Sequence, residues 1–301
     1  MRDSEHLRQM LWRHQRIGGF ESALAEVQAN FTRDPQNHTH HMQALQSAVS
    51  QMFGHMNRAF FEANDFEFQQ HADRMLRTFL VKFDAIFTLN QDLLLEHHYL
   101  GDNIALTAPE RWNGPQLPGL RPSPGGPVHP VARNFARFFW SPVPQVEFRV
   151  EPRLQPLFKL HGSTNWHDPV AGPMMILGDN KRRDIQFHPI LSWYFTQFET
   201  LLSQPDTRLM IVGYGFRDQH VNEVIVNAVA RHDLKIFVVD PNGADIAKNL
   251  NPTHGAQIRG PETPLEEAFS RGLIGASRRG LREIFGSDSV EHHKVQRFFD
   301  A

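Results

Sequence analysis

Polar residues follow several short apolar segments of this chain, at the points where strands are predicted to end. Thr88, Asn90 and Asp92 follow "DAIF", and His161 follows "PLFKL". Further along, the glycine turn "GYGF" follows "RLMIV", and "DPN" follows "KIFVV". In open α/β sheets, ligands bind outside the carboxyl ends of the strands. These amides, carboxylates, glycines and one imidazole are therefore predicted to line a ligand-binding site.

Each of these residues also has a purely structural interpretation. Asn90 or Asp92 could cap the helix predicted to begin at Leu93, since Asn and Asp are among the most favourable N-caps. His161 could be a core histidine whose ring nitrogens bond to backbone groups. The turn "GYGF" lacks the full G-x-G-x-x-G spacing, and "DPNG" could be an ordinary turn. The hypothesis of a ligand site therefore rests on the whole set.

Three further polar residues indicate a nucleotide. Asp218 and Asn222 are four residues apart at the start of a predicted helix, so both side chains project from one side near its N-terminus. Backbone N–H groups and the helix dipole favour a phosphate or a ribose hydroxyl there. Asp240, at the end of the next predicted strand, is an acidic group of the kind that accepts hydrogen bonds from ribose hydroxyls. A dinucleotide would contact all three residues.

The first part of the chain is predicted to be helical. Apolar residues recur there at steps of three and four, which is the period of one helix face. The helices predicted in this way lie near residues 7–13, 20–31, 41–60 and 72–80. Residues 1–82 are therefore expected to form a helical region.

After residue 82 the pattern changes to short, continuous apolar runs, which predict buried parallel strands. These runs are 84–89, 156–160, 174–178, 208–214 and 235–240. Helical patterns at 189–202 and 218–232 separate the last three runs, and this alternation predicts an α/β fold with a doubly wound, mostly parallel, Rossmann-like sheet. We expect that core to span 83–260, with a C-terminal helical tail at 261–301.

Residues 101–150 interrupt this pattern with nine of the twenty prolines of the chain. Neither a helix nor an interior strand tolerates such a density of proline. A long loop inside a compact domain is usually either a functional lid or a disordered insert. If this segment is a lid, Trp112, or Phe138 and Phe139, would shield the reacting carbon from water.

Composition excludes several classes of protein. The chain has no cysteine, which excludes disulfides, thiolate zinc sites and a cysteine nucleophile, and which fits a reducing cytoplasm. The net charge is -2 without a long run of like charges, so direct binding of nucleic acid is not expected. No apolar segment approaches the roughly eighteen residues of a membrane span. The sequence predicts a soluble, cytoplasmic protein.

Four motifs carry a resemblance to a known family: "TLNQD", "LHGSTNW", "VGYGFRDQHVNEVI" and "VVDPN". In this order they resemble the sirtuin-like (SIR2-like) NAD-hydrolase domains of bacterial defence systems, and the likeness runs from about residue 66 to about residue 250. The corresponding sirtuin elements are a T-Q-N-x-D loop and an H-G dipeptide. The resemblance implies an NAD glycohydrolase that cleaves NAD to nicotinamide and ADP-ribose and depletes NAD in antiviral (anti-phage) defence.

The resemblance also implies a role for each candidate residue, with NAD as substrate and no metal. Asn90 is assigned to the polar pocket at the nicotinamide ribose, Asp92 to the nicotinamide amide, and His161 to the catalytic base. The glycine turn at Gly213 to Gly215 and the strand end at Asp240 to Asn242 are implied to line the adenosine half of NAD. The residues expected to bind the dinucleotide are Thr88, Asp92, Gly213, Tyr214, Gly215, Asp218, Asn222, Asp240 and Asn242.

Two departures from the sirtuin pattern refine these expectations. Classical sirtuin deacylases carry a four-cysteine zinc ribbon, so this chain, which has no cysteine, is expected to hydrolyse NAD rather than to deacylate. The family's first strand and its G-A-G loop, which cradles the pyrophosphate, are missing, and we expect upstream sequence to encode them.

An inactive or weak NAD- or ADP-ribose-binding scaffold stays open as the alternative. A homo-oligomer, or a separate ATPase or Argonaute-like chain, is the implied partner.

Overall fold

The computed structural model describes residues 2–14, 19–62, 72–100, 108–123, 138–170, 172–178, 181–251 and 261–300. The chain divides into two compact units, one of Met1–Phe66 with Phe83–Tyr194 and the other of Glu67–Lys82 with Phe195–Ala301. The helices, in chain order, are α1 (Arg2–His14), α2 (Gly19–Arg33), α3 (Pro35–Glu62), α4 (Ala72–Leu80), α5 (Leu94–His98), α6 (Lys181–Gln186), α7 (Pro189–Leu202), α8 (Gln219–His232), α9 (Ile246–Asn249), α10 (Pro264–Gly272), α11 (Leu281–Gly286) and α12 (Ser289–Gln296). The strands are β1 (Ile86–Thr88), β2 (Gly114–Gln116), β3 (Leu120–Pro122), β4 (Trp140–Pro142), β5 (Leu154–Lys159), β6 (Gly162–Asp168), β7 (Gly172–Met175), β8 (Arg208–Val212), β9 (Lys235–Val239) and β10 (Leu273–Ser277).

The first unit opens with α1, α2 and α3, which pack on one another through a small apolar core. That core consists of Met10, Ala23, Leu24, Val27, Leu45 and Val49. The predicted helices near 7–13, 20–31 and 41–60 are confirmed, and each extends beyond its predicted bounds. Among the described helices, none is long and apolar enough to cross a lipid bilayer.

A parallel sheet of order β1-β5-β2 forms the part of this unit that positions the candidate catalytic residues. In its register Ile86 pairs with Leu157 and Thr88 pairs with Lys159. The central strand β5 is buried along most of its length, as a continuous apolar run predicts. Strand β2 carries Pro115 and lies at the edge of this sheet among the described strands, the position at which strands tolerate proline.

A second sheet of the first unit has the order β3-β4-β6-β7 and corrects one prediction. The run 174–178 was expected to be a buried parallel strand, but β7 runs antiparallel to β6. The reason is the connection between them, since a parallel pair needs a crossover of about a dozen residues and only 169–171 separate these strands. Strands β2, β3 and β4 also show that the proline-rich segment contains short strands, which its composition did not predict.

The second unit contains a parallel sheet of order β10-β9-β8. Helix α8 follows β8, and α4 packs here through Phe79, whose ring centroid lies 5.0 Å from that of Phe285. The segment 261–301, expected to be a helical tail, contains the helices α10, α11 and α12 and also β10, which pairs with β9. A Cβ added at Gly275 would lie 2.6 Å from the Phe237 ring, so close packing requires glycine in this strand. The predicted α/β class with mostly parallel open sheets is confirmed.

Candidate active site

The ends of β1 and β5 lie side by side in the first unit. The Leu160 N–H donates a hydrogen bond of 3.0 Å to the carbonyl of Thr88, just past the paired strands. Because the strands are parallel, the loop after β1 and the residue after β5 emerge at the same sheet edge. Asn90 is exposed in that loop, Asp92 is half-buried, and His161 is buried. The predicted catalytic residues therefore follow neighbouring strand ends.

Backbone and side-chain hydrogen bonds fix the loop that carries Asn90. The Asn90 N–H donates to the Thr88 hydroxyl at 3.1 Å, which gives Thr88 a direct role in shaping the turn. The carbonyl of Gln91 accepts a 3.0 Å hydrogen bond from the Thr164 N–H, and the buried Gln91 side-chain amide donates to the carbonyl of Ile176. The loop is thus attached to β6 and to the segment after β7, while Asn90 stays accessible.

Asp92 lies just before helix α5, whose N-cap is Leu93 without a side-chain cap hydrogen bond, so the expectation that Asp92 caps this helix is wrong. One of its carboxylate oxygens accepts a hydrogen bond of 2.9 Å from the Leu94 N–H, two residues on, which is the geometry of an Asx-turn. A carboxylate has two oxygens and about four lone pairs, so this turn leaves acceptor capacity for another donor. The turn and ligand binding by Asp92 are therefore compatible.

Gly162, directly after His161, shows why an H-G dipeptide is needed at this position. Its φ is +74°, and a Cβ added there would lie 2.0 Å from the carbonyl oxygen of Met174. Only glycine allows β6 to start so close to the backbone of β7. The His161 carbonyl also accepts a 2.9 Å hydrogen bond from the Ile176 N–H, so the backbone on both sides of the imidazole is held.

In the second unit, the glycine turn after β8 is closed by side chains. Gly213 has a φ of +62°, and the Tyr214 hydroxyl donates to the Asn222 side-chain oxygen at 2.9 Å and to the Asp218 carbonyl at 3.1 Å. The Asn222 side-chain amide donates to the Phe216 carbonyl at 2.8 Å. Burial, and then the charge of Asp218, raise the pKa of Tyr214, so its hydroxyl stays a donor at neutral pH. The oxygen and the nitrogen of the Asn222 side chain are therefore both hydrogen-bonded within the turn.

The residues after β9 form a turn of their own. One carboxylate oxygen of buried Asp240 accepts from the Asn242 N–H at 2.8 Å and from its side-chain amide at 3.2 Å. This is the plain-turn interpretation of "DPNG". Asn242 lies at a cavity of about 380 Å³ in this unit, whose lining residues are Pro241, Asn242, Asp245, Lys248, Asn249 and Arg278.

Comparison with known protein families assigns the chain to one of them. Residues 84–257 match the sequence profile of the SIR2-like domain, and this match covers more than half of the chain. The chain belongs to the SIR2-like domain family. A search of curated proteins found no match to it. SIR2-like domains use NAD as substrate, and the family includes NAD-dependent enzymes. The resemblance seen in the four motifs is thereby confirmed.

Sequence reasoning missed a residue that supports the site of this SIR2-like chain. Asn57, on α3, accepts a 3.1 Å hydrogen bond from the Leu93 N–H and donates one of 3.1 Å to the Thr164 hydroxyl. It therefore links the loop after β1 to β6. Asn57 lies next to the apolar face of a long helix, and no periodic pattern marks a polar residue there as a bridge.

A buried ion pair was missed as well. The Lys159 ammonium lies 2.6 Å from a Glu96 carboxylate oxygen, and each side chain is only 1% exposed. The same ammonium donates to the Asp92 carbonyl at 2.5 Å. The one signal in the sequence was a lysine within the otherwise apolar run "PLFKL".

The proline-rich segment does not place Trp112 over the site. The Asn113 N–H donates to the Arg153 carbonyl at 2.7 Å, just before β5 begins, and Arg111 pairs with Asp84 just before β1. Trp112 therefore lies at the amino ends of these strands, whereas Asn90 follows the carboxyl end. The expectation that Trp112 shields the reacting carbon is wrong.

The end of the same segment packs on β6 instead. The Asn165 side-chain amide donates to the carbonyl of Phe138 at 2.8 Å, and the Phe138 side chain is buried. Phe139 is 65% exposed. Residues 101–107 and 124–137, which the lid hypothesis includes, lie outside the described residues.

Proposed function

We propose that this SIR2-like chain is an NAD glycohydrolase that converts NAD and water to nicotinamide and ADP-ribose. The observation that supports this proposal most directly is the adjacency of the loop after β1 and His161 at one sheet edge. An accessible amide and a carboxylate follow β1, and an imidazole follows β5, and these are groups that cleavage of a nicotinamide riboside bond can use. Family membership supplies NAD as the substrate.

In the proposed reaction, the bond between the nicotinamide nitrogen and the ribose anomeric carbon breaks. Nicotinamide is cationic in NAD and leaves as a neutral molecule with the bonding electron pair. The transition state is oxocarbenium-like, as in other glycosidic cleavages. The oxygen of water then bonds to the anomeric carbon, and a proton of that water goes to a base.

Each candidate residue has one task in this reaction. Asp92 accepts a hydrogen bond from the carboxamide of nicotinamide with the acceptor capacity that its bond to the Leu94 N–H leaves free. Asn90 orients the water and the ribose hydroxyls. His161 takes the proton from water or from a ribose hydroxyl, a contribution worth about 10²–10⁴-fold in rate for a positioned base.

The biological role proposed for this activity is depletion of NAD in antiviral (anti-phage) defence in the cytoplasm. Support for it comes from the four motifs, which resemble those of defence-associated domains. We propose that turnover by the purified chain is slow or conditional. Assembly into a homo-oligomer, or with a separate ATPase or Argonaute-like chain, is the proposed trigger.

Product analysis tests the reaction class. Purified protein is incubated with NAD, with and without an acetyl-lysine peptide, and the products are separated by chromatography. We expect equal amounts of nicotinamide and ADP-ribose in both incubations, because the chain has no cysteine for a zinc ribbon. Nicotinamide release that depends on the peptide, or an O-acetylated ADP-ribose, would contradict the proposal.

One observation favours a second candidate, binding of NAD or ADP-ribose without turnover. The proposed base, His161, is only 3% exposed, which limits the access of water to its imidazole. Titration calorimetry separates the two candidates when it is combined with the product assay. Saturable NAD binding without any nicotinamide release, even in the assembled complex, would favour the scaffold.

A further inference from the structure

An ion pair between Lys159 and Glu96 is fully buried in the first unit. The two side chains are each 1% exposed, and the ammonium lies 2.6 Å from one carboxylate oxygen. Within the described part of the chain, the other Glu96 oxygen is buried without a hydrogen-bond partner. Removing two charges from water often costs more than their attraction returns, and apolar pairs of similar volume are commonly at least as stable. Stability alone is therefore a poor explanation of the pair.

The position of the pair suggests another role. Lys159 is the last residue of β5, two residues before His161, and Glu96 lies in α5, the helix that follows the loop of Asn90 and Asp92. The Lys159 ammonium also donates to the Asp92 carbonyl at 2.5 Å. The buried Lys159 ammonium thus connects the end of β5, which His161 follows, to the loop that carries Asn90. Through Glu96 it also connects to helix α5.

We propose that Lys159 and Glu96 are positioning residues for NAD cleavage. Lys159 holds the Asp92 carbonyl and so fixes the loop after β1 relative to His161, and Glu96 holds the ammonium in the orientation that this requires. Lysine suits the task because its ammonium has three donors on one compact centre. This inference rests on the proposed function, since it concerns the geometry of the same site.

Replacing Lys159 and Glu96 by uncharged residues separates their effect on the geometry of the loop from their effect on stability. Lys159→Met or Glu96→Leu alone leaves one buried charge unpaired and should lower Tm by roughly 10 °C. The double variant Lys159→Met/Glu96→Leu leaves no charge and should recover most of that loss. Because nothing then holds the Asp92 carbonyl, we expect its kcat for nicotinamide release to fall about a hundredfold, with a smaller change in KM.

In a matched control, Arg111 and Asp84, which form an ion pair near the amino ends of β1 and β5, are replaced by Met and Leu. This pair, in which Asp84 is exposed and Arg111 half-buried, lies near the amino ends of the strands, whereas the loop follows the carboxyl end of β1, so kcat should stay at the wild-type value. A second readout needs no activity: hydrogen exchange of the segment from Thr88 to His98 in the NAD-free protein. Exchange there should be faster in the Lys159→Met/Glu96→Leu variant than in wild type and in the control.

The outcomes distinguish this inference from the proposed function. A double variant with recovered Tm, wild-type kcat and unchanged exchange would show that the pair only fills the core, and would overturn the inference. If wild-type protein and its assemblies release no nicotinamide, the proposed function fails. In that case the exchange measurement decides alone: faster exchange supports the hold on the loop, and unchanged exchange overturns it.

Discussion

The amide nitrogen of Leu160 and the carbonyl oxygen of Thr88 are joined by a hydrogen bond of 3.0 Å at the end of the paired strands β1 and β5. This bond continues the register in which Thr88 pairs with Lys159. The loop with Asn90 and the imidazole of His161 are thus brought to one edge by backbone pairing. Substitutions of the Asn90 and His161 side chains should therefore change the rate of NAD cleavage without changing the fold.

Gly162 should be the least replaceable glycine of the site. Gly162→Ala adds left-handed backbone strain and a steric conflict with the Met174 carbonyl, since the new Cβ would start 2.0 Å from that oxygen. We expect a loss of about 2–5 kcal/mol of unfolding free energy from strain and overpacking together. Urea denaturation followed by circular dichroism measures it.

Gly172 provides the control for this prediction. It has a φ of +84°, close to that of Gly162, but a Cβ there would meet nothing within 4 Å. Gly172→Ala should therefore cost only the strain, about 1–2 kcal/mol. Equal losses in the two variants would show that the approach of Gly162 to Met174 does not matter.

Asn57 should support the site from α3. Asn57→Ala removes the acceptor of the buried Leu93 N–H and the donor to the Thr164 hydroxyl. We expect a loss of about 1–3 kcal/mol of stability, together with slower nicotinamide release, because Leu93 is next to Asp92. His55→Ala, an exposed substitution on the same helix, should change stability by less than about 0.5 kcal/mol. A stable and fully active Asn57→Ala variant would contradict the role of the bridge.

His188, just before α7, should make stability depend on pH. Burial lowers its pKa below the usual 6.5, and the nearby charges of Asp168 and Asp184 offset this only in part. Between the folded pKa and 6.5 the unfolded chain binds more protons, so stability falls as pH falls through that window and is fully present above it.

The measurement is Tm from about pH 7 to about pH 5 for wild type and His188→Gln, because glutamine does not titrate in this range. The variant should lose less stability than wild type as the pH falls. The difference between the two proteins isolates His188 from the other histidines. Parallel Tm curves would mean that His188 contributes nothing to the pH dependence.

Tyr214 should stabilise the turn after β8. Tyr214→Phe removes the hydroxyl that donates to the Asn222 side-chain oxygen and to the Asp218 carbonyl. A loss of about 0.5–1.5 kcal/mol is expected, measured as a lower midpoint of urea denaturation. Substitution of the exposed neighbour Arg217 by Ala should leave the midpoint near the wild-type value.

The elements that could be predicted from the sequence are those with a long, continuous signal. Strands β5, β8 and β9 lie within the apolar runs 156–160, 208–214 and 235–240 or overlap them, and α7 and α8 show a clear helical period. Strand β10 has a glycine at its centre, and β2, β3 and β4 each contain a proline. These strands form because a neighbouring strand offers a hydrogen-bonding edge, which no local pattern records.

The residues of the candidate site also divide into those that the sequence could indicate and those that only the fold reveals. Asn90 and His161 could be selected because each follows an apolar run, where α/β sheets place ligand contacts. Asn57 and Glu96 reach the loop from helices that are remote from His161 in sequence, so only the tertiary fold reveals them. Trp112 was misplaced because the register of β2 on β5 could not be inferred from a proline-rich segment.

NAD cleavage at the edge formed by β1 and β5 is tested most directly by measuring nicotinamide and ADP-ribose formation from NAD by wild type and three single variants. The variants are Asn90→Ala, His161→Ala and the control His167→Ala, which removes an exposed histidine from β6. We predict release by wild type and the control, and a loss of about a hundredfold or more in Asn90→Ala and His161→Ala with unchanged circular dichroism. Wild-type rates in both of these variants would contradict the assignment of the reaction to this sheet edge.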